Sequence, residues 1–564
     1  MIRYLITSAL PYINGIKHLG NIAGSLLPAD VYAKHLRQQG EEVLYICGTD
    51  EHGTPAELAA KANNQSVEEY CETMYQTQKS IYEAFAIEFD FFGRSSSKAN
   101  HVVTQSVFKD LYANGYIQTC EIQQVYSKTD ARFLPDRYVE GTCPHCQYEK
   151  ARGDQCEACG RLLDTTDLLS PRSAISGSTD LEVRQSMHLF LDLAALSDRV
   201  SQWVDQHPDW PATTKGIAKK WLQEGLHARC ISRDLKWGIK IPKENFDDKV
   251  FYVWFDAPNG YISMTQEWAE TQGEPDAWQR WWQSNLDEVI YTQFMAKDNV
   301  PFHAIFWPAM LMGTGKNWKL VDQLKAFNWL TYEGGKFSTS QQRGVFSDQA
   351  LKLFPADYWR YFLTAAAPES SDSDFTFAGF ANLVNKDLAD VLGNFVNRAT
   401  AIIKKHFDNK IPTYNANNRD VDELKLAVSQ LVETIDVEFR ACRFRPAMQA
   451  MRELWCWSNE YIAREEPWKV VKTDKVRAAD ILMNCLHLMR ISAITAASVI
   501  PEAAQKILTG LGEQCAPSDS PFRDCVVFNY FPVGRELVSQ GNLFQKIDEE
   551  QVAVLTAEYA GQPS

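Results

Sequence analysis

Residues 2 to 53 limit the fold more than any other part of the chain. Ile2 to Ile6 is a short apolar run of buried-strand type, and Glu42 to Cys47 (with Val43, Leu44, Tyr45 and Ile46) reads as a second strand. Between them, Ile22 to Gln39 carries apolar residues at helical spacing and stops at Gly40. Strand, helix and strand in this order form the repeating unit of a doubly wound parallel sheet. Loops at the carboxyl ends of such strands collect ligands. The first loop, Ser8-Ala9-Leu10-Pro11-Tyr12-Ile13-Asn14-Gly15-Ile16-Lys17-His18-Leu19-Gly20-Asn21, opens a helix whose free N–H groups suit a phosphate. Gly20 lets the backbone come close to such a group, and His18 adds a donor. The second loop, Gly48-Thr49-Asp50-Glu51-His52-Gly53, is polar. A buried Asp50 there holds an amino group by a charge-assisted hydrogen bond, or else Asp50 or Thr54 caps the next helix.

A chain of 564 residues divides into three or four domains on ordinary domain sizes. With 45% hydrophobic residues and 16 Trp it builds large cores and is not disordered. The net charge of −15 excludes uniform attraction to a polyanion, so any nucleic-acid contact uses local basic patches. Thr7, Ser8 and Pro11 interrupt the first apolar run well short of a signal or membrane span. The 13 cysteines are scattered except for one cluster, which suits a reducing compartment and a cytoplasmic protein.

That cluster is Cys143-x2-Cys146-x9-Cys156-x2-Cys159. Two C-x2-C hooks place four thiolates around one tetrahedral ion, with Gly153 and Gly160 allowing tight knuckle turns. Zn2+ is the expected metal for an all-sulfur shell, and with no position left open the site is structural.

Residues 65 to 115 read as helical. The second half of the sheet is expected to resume at Lys249-Val250-Phe251-Tyr252-Val253-Trp254-Phe255, an apolar run followed by Asp256-Ala257-Pro258-Asn259-Gly260-Tyr261. Trp254, Ala257, Pro258 and Tyr261 wall a small apolar pocket in this reading, or are ordinary core residues. A further strand, Val289 to Phe294, leads to Asp298, the type of residue that holds a ribose hydroxyl pair, and to His303 in the next helix. From Phe375 onward the chain reads as a helical bundle: Leu383 to Lys405, Asp422 to Arg440, Pro446 to Arg464 and Val476 to Ile500. Asn394 and Arg398 lie four apart on one helix face. With Pro467-Trp468 they offer the stacking and hydrogen bonding that read unstacked RNA bases, or else a surface pair beside a core Trp.

His18-Leu19-Gly20-Asn21 behind Ala9-Leu10-Pro11-Tyr12 resembles the first signature of class I aminoacyl-tRNA synthetases, in the form used by the methionyl enzymes; Asn21 stands where a second His is usual. Glu333-Gly334-Gly335-Lys336-Phe337-Ser338-Thr339-Ser340 resembles the second signature in altered form. The common version has lysines at the positions of Lys336 and Thr339. Gln341 replaces an Arg found in many relatives, Arg343 follows, and Ala296 stands where the family has Gly. The four-cysteine insertion matches the family's zinc knuckle.

The resemblance implies a doubly wound, Rossmann-like nucleotide-binding sheet (α/β) with a zinc-knuckle insertion and a C-terminal all-α anticodon-binding bundle. The implied activity is a ligase's: ATP-dependent activation of L-methionine to methionyl-adenylate, then transfer to the terminal adenosine of methionine tRNA, initiator and elongator. His18, Asn21 and Lys336 would act on the phosphates. Gly20, Asp298, Ser338 and Thr339 would complete the ATP site, with Mg2+ on the triphosphate. Ala9, Leu10, Tyr12, Asp50, Trp254, Ala257, Pro258, Tyr261 and His303 would bind methionine. Asn394, Arg398, Pro467 and Trp468 would read the anticodon, and Cys143, Cys146, Cys156 and Cys159 would hold one structural Zn2+.

The division expected is 1–115 and 249–325 for the two halves of the catalytic domain, 116–248 for the insertion, 326–380 for the signature loop and stem contact, and 381–564 for the bundle and a polar tail. A monomer is expected, without membrane attachment. Three alternatives stand beside this reading. Another class I synthetase would need either a large editing insertion or a metal in the amino-acid pocket. A paralogue that binds tRNA but has impaired catalysis would explain Asn21, Ala296 and Thr339. A zinc-stabilised nucleic-acid-binding module would leave the first loop unexplained.

Overall fold

The structure is a computed structural model that describes residues 2–561 apart from 154, 155, 157, 160, 162, 339–341, 515, 517–520 and 540. Its centre is a sheet of five parallel strands: β1 (Arg3–Ser8), β2 (Glu42–Thr49), β3 (Phe91–Arg94), β4 (Val289–Ala296) and β5 (Gln323–Phe327). They lie in the order β5-β4-β1-β2-β3. β1, β2 and β4 are near-continuous apolar runs because helices cover both faces. The chain winds outward through β2 and β3, then returns on the other side of β1, pairing Arg3 with Val289 through to Ser8 with Phe294. The strand order therefore reverses between β1 and β4, and the loops after these two strands diverge to leave a crevice.

The helices that follow β1 and β4 share an irregularity. Each contains one π turn, Ile22–Leu26 and Phe302–Phe306, just before a proline in the next α segment, Pro28 and Pro308. A proline has no N–H to give to the carbonyl four residues back, and its ring crowds that carbonyl, so the ladder widens there. Both widened turns face the crevice.

Two expectations about this domain need correction. Residues 249 to 255 are not a strand of the central sheet. Only Val250–Phe251 is extended, pairing antiparallel with Ser232–Arg233 of the insertion, and Val253–Asp256 is a helical turn leading to helix Gly260–Thr271. A short apolar run buries equally well in either conformation, and its length alone does not decide between them. The second half-sheet starts at β4. The region from 65 to 115 is likewise not all helix, since β3 lies between helices Val67–Ala84 and Lys98–Ala113.

The insertion is built on two long antiparallel strands, Ile117–Ser127 and Leu181–Leu191, in unbroken register. A small sheet of Val139–Thr142, Ala151–Arg152 and Leu169–Ser173 carries the cysteines. The C-terminal bundle has helices Asn394–His406, Val421–Arg440, Phe444–Glu465 and Lys475–Ala496, close to the expected ones. Its core is continuous with one face of the central sheet. Arg360, fully buried, joins them: it pairs with Asp30 at 2.7 Å and donates to the carbonyls of Phe85, Ala86, Ser498 and Val499. Residues 549–559 are not a free polar tail. Helix Glu549–Glu558 packs on Phe377–Leu383, and the Gly344 N–H donates to the Tyr559 carbonyl at 3.1 Å.

Candidate active site

A cavity of about 500 Å³ occupies the crevice between the β1 and β4 loops. It is lined by Ala9, Leu10, Tyr12, His18, Gly20, Asn21 and Asp50 from the first half of the sheet. Trp254, Ala257, Pro258, Tyr261, Asp298, His303 and Lys336 line it from the second half. Residues far apart in sequence are thus brought to one place by the strand reversal.

The β1 loop is held by backbone. Ala9 N–H donates to Phe294 O, Ile13 N–H to Asp50 O and Asp50 N–H to Pro11 O, each at 2.9 Å. These bonds lay the loop along the end of β2 and turn Asp50 inward. Asp50 is 5% exposed, and its Oδ1 has no hydrogen-bond partner among the described residues. Burial, then the Asp256 and Glu51 carboxylates, push its carboxyl far above the ordinary range. It does not cap a helix: the next one starts at Thr54 after Gly53. A buried carboxylate oxygen without a partner calls for a donor from outside the chain.

His18 caps the helix that starts at Leu19 and accepts from the Gly20 N–H through Nδ1 at 3.1 Å. A Cβ at residue 20 would lie 2.9 Å from the His18 ring, so any larger residue would displace that ring. Burial, then Lys17, hold the imidazole down to about 4, so at neutral pH it is uncharged. With Nδ1 accepting, its proton sits on Nε2, which remains a donor. The ring stacks on Phe337 at 4.5 Å between centroids, linking the two signatures directly.

His303, in the second π turn, has both nitrogens committed. Nδ1–H donates to Asn299 O at 3.0 Å, which leaves Nε2 to accept from the Tyr261 hydroxyl at 3.0 Å. Burial pushes this imidazole down to about 4 as well. The pair forms a fixed neutral wall, with Trp254 packed on Phe302 at 4.2 Å beside it. Asp298 stands in the single turn Lys297–Asn299 directly after β4. Ala296 also lines the cavity, 3.6 Å from where a Cβ on Gly24 would be.

The second signature is a hairpin turning at Glu333-Gly334, with Tyr332 and Gly335 exchanging backbone bonds at 2.8 and 2.9 Å. Lys336 is exposed on it, its ammonium 5.6 Å from the Trp329 ring centroid. Ser338 does not line the cavity; it pairs with Arg343 across the stem. Thr339 and Gln341 lie outside the described residues. Arg343 does not point a cation at the cavity: its guanidinium donates to the carbonyls of Tyr332, Glu333 and Ala560 at 3.0 to 3.1 Å. The sequence reading missed Lys17, Phe302 and Trp329 as lining residues. Trp329 is 43% exposed just before the hairpin, a large aromatic outside the core, which only the fold shows.

The four cysteine sulfurs lie within 4.8 Å of one another, with pairs at 3.9 and 3.5 Å. Tetrahedral zinc at the usual Zn–S length spaces sulfurs by about 3.8 Å, so the donor set fits. A Cβ on Gly153 would meet Thr165 at 2.5 Å, which accounts for that knuckle glycine; Gly160 lies outside the described residues. In the bundle, the Arg398 guanidinium sits 5.0 Å over the Trp468 ring, with Asn394 exposed one turn away. Pro467 is buried and begins the short helix that presents Trp468.

A family model described as class I tRNA synthetases (M) matches residues 4–400, and one for the anticodon-binding domain of methionyl tRNA ligase matches residues 411–564. Methionine–tRNA ligase 1 of Acaryochloris marina is 51% identical over 560 residues, covering 99% of this chain and all of its own. The methionine–tRNA ligase of Streptomyces avermitilis is 49% identical over 578 residues, covering both chains fully. The solved Mycobacterium tuberculosis methionyl-tRNA synthetase in complex with methionyl-adenylate has a TM-score of 0.78 and 25% identity, over 96% of this chain and all of its own. The cavity, the cysteine cluster and the bundle thus occur together in a chain that belongs to the class I methionyl-tRNA synthetases.

Proposed function

We propose that this chain catalyses the reaction its relatives are named for: it activates L-methionine with ATP and passes the methionyl group to the 3′-terminal adenosine of methionine tRNA. The partnerless oxygen of buried Asp50, inside a cavity shared with His18 and Lys336, is the observation that carries this reading. Asp50 receives the ammonium of methionine, and the backbone around Ala9 and Leu10 orients it. Tyr12, Trp254, Ala257, Pro258, Tyr261 and His303 enclose the thioether, a flexible and polarisable group suited to an aromatic-lined slot.

Asp298 binds the ribose. His18 Nε2–H, Asn21 and the helix N-terminus, approached closely at Gly20, face the phosphates, with Lys336, Ser338 and Thr339 closing from the hairpin. The methionine carboxylate attacks the α-phosphorus, forming a C–O–P bond as the bond to pyrophosphate breaks. The protein's part is positioning and stabilising charge on the departing pyrophosphate. Mg2+ accompanies the triphosphate.

Cys143, Cys146, Cys156 and Cys159 hold one Zn2+ that braces the insertion and takes no part in the chemistry; metal content of the purified chain tests this. Asn394, Arg398, Pro467 and Trp468 read the anticodon of initiator and elongator tRNA, Trp468 by stacking. The catalytic halves (1–115 and 249–325), the insertion (116–248), the signature segment (326–380) and the bundle (381–564) act as one cytoplasmic monomer. The bundle shares a core with one face of the sheet, and no helix among the described residues is long and apolar enough to cross a membrane.

The test is methionine-dependent ATP–pyrophosphate exchange by the intact chain, with His18→Ala and Lys336→Ala alongside. Exchange that requires methionine and falls sharply in both variants is expected. A folded chain that binds methionine tRNA without exchange would instead favour a tRNA-binding paralogue.

A further inference from the structure

The cavity contains a cation with no role in the assignments above. Lys17, directly before His18, lines the same space as Asn14, His18 and Lys336. Its ammonium donates to Asn14 Oδ1 at 3.0 Å and forms no ion pair among the described residues. Burial pushes it down to about 8, with only the Asp50 carboxylate favouring the charge. The side chain is half-buried and its one hydrogen-bond partner among the described residues is neutral, so the ammonium can still take an anion in the cavity.

The other positive groups nearby are spent. Arg343 is bound to three carbonyls, and Lys297 pairs with Asp372 at 2.8 Å. His18 is uncharged, and position 339 is Thr. Among the described residues that line the cavity, Lys17 and Lys336 are therefore the two ammonium groups left to face a bound polyanion. Their loops are joined. The Ser347 N–H, just beyond the signature hairpin, donates to the Lys17 carbonyl at 2.8 Å, and the Leu19 N–H donates to Val345 O at 3.3 Å. Movement of the hairpin stem is thus tied to the backbone that carries Lys17.

We propose that Lys17 binds the polyphosphate tail of ATP and the pyrophosphate product, as the second cation opposite Lys336. This rests on the assignment of the cavity to ATP and methionine. A lysine on the first loop would then supply charge that the hairpin, with Thr339, does not.

The test is ATP–pyrophosphate exchange by the full chain, comparing wild type, Lys17→Met and Lys17→Arg. Calorimetric methionine titration without nucleotide accompanies it. Lys17→Met is expected to lower exchange by roughly 10-fold to 100-fold, with KM raised for ATP and pyrophosphate and methionine affinity unchanged. Lys17→Arg should recover most of the loss. Normal exchange by Lys17→Met would overturn the proposal. So would a loss confined to methionine KM, or failure to bind methionine, either of which places the ammonium with Asp50. A wild-type chain without methionine-dependent exchange would instead remove the assignment of the cavity itself.

Discussion

The two sides of the cavity are built differently. The side around Asp50, Tyr261 and His303 is buried, neutral at its imidazole, and fixed by hydrogen bonds that already have their final partners. Among the described residues that line the cavity, one buried side-chain atom, Asp50 Oδ1, lacks a hydrogen-bond partner. The side around Lys336 is a hairpin whose cation is exposed and, among the described residues, lies over the Trp329 ring. The contrast separates two tasks. The amino acid is recognised by a preformed slot, whereas the triphosphate is met by charge on loops that finish their work when it binds. An account of this kind predicts that variants of the two sides fail in different ways.

The largest effect is expected at Asp50. Asp50→Asn removes the charge that pairs with the methionine ammonium and should weaken methionine activation by roughly 100-fold to 1000-fold, read as kcat/KM for methionine. The same variant should be more stable than wild type. The folded carboxyl is raised, so the folded chain holds its proton to higher pH than the unfolded one. Stability attributable to Asp50 is therefore lost as pH rises above about 4 toward the folded value. Asp50→Asn should gain roughly 1–3 kcal/mol over wild type at pH 8, and less near pH 4, in denaturant melts. A loss of stability at pH 8 would break the picture of an unpaired carboxylate awaiting its ligand.

Next in size is Lys336→Ala, expected to lower exchange by about 100-fold through kcat and the KM for ATP, with methionine affinity intact. Tyr261→Phe leaves His303 Nε2 without its donor inside the slot. It should cost about 1–3 kcal/mol in folding stability and raise the KM for methionine more than that for ATP. The smallest change belongs to Arg343→Ala. Its guanidinium ties the Tyr332, Glu333 and Ala560 carbonyls rather than substrate, so exchange should fall by ~3-fold with the KM values for methionine and ATP little altered. A collapse comparable to that of Lys336→Ala would mean Arg343 reaches the phosphates after all.

The slot was more legible in the sequence than the hairpin side, for a physical reason. Asp50, Asp298 and the β1 loop each follow an apolar strand, and a parallel sheet sends the ends of such strands to one edge. Their convergence follows from topology. Lys17 lies in that same β1 loop and Trp329 stands two residues after β5, but topology does not say which side chains of a loop face the cavity. Whether a loop lysine faces a cavity or solvent depends on a few backbone bonds, such as Ser347 N–H to Lys17 O, that leave no periodic trace. The run at 249–255 misled because Val250, Phe251, Val253 and Phe255 are all buried, while their conformation is set by the insertion strand at Ser232–Arg233. The π turns at Ile22–Leu26 and Phe302–Phe306 were marked by Pro28 and Pro308, but only the fold shows that both face the same crevice.

Calorimetric titration of methionine into the nucleotide-free chain tests the contrast most directly, with wild type, Asp50→Asn and Lys336→Ala compared. A preformed slot predicts that wild type and Lys336→Ala bind methionine alike and that Asp50→Asn does not bind it. Equal binding by Asp50→Asn, or loss of binding in Lys336→Ala, would contradict it.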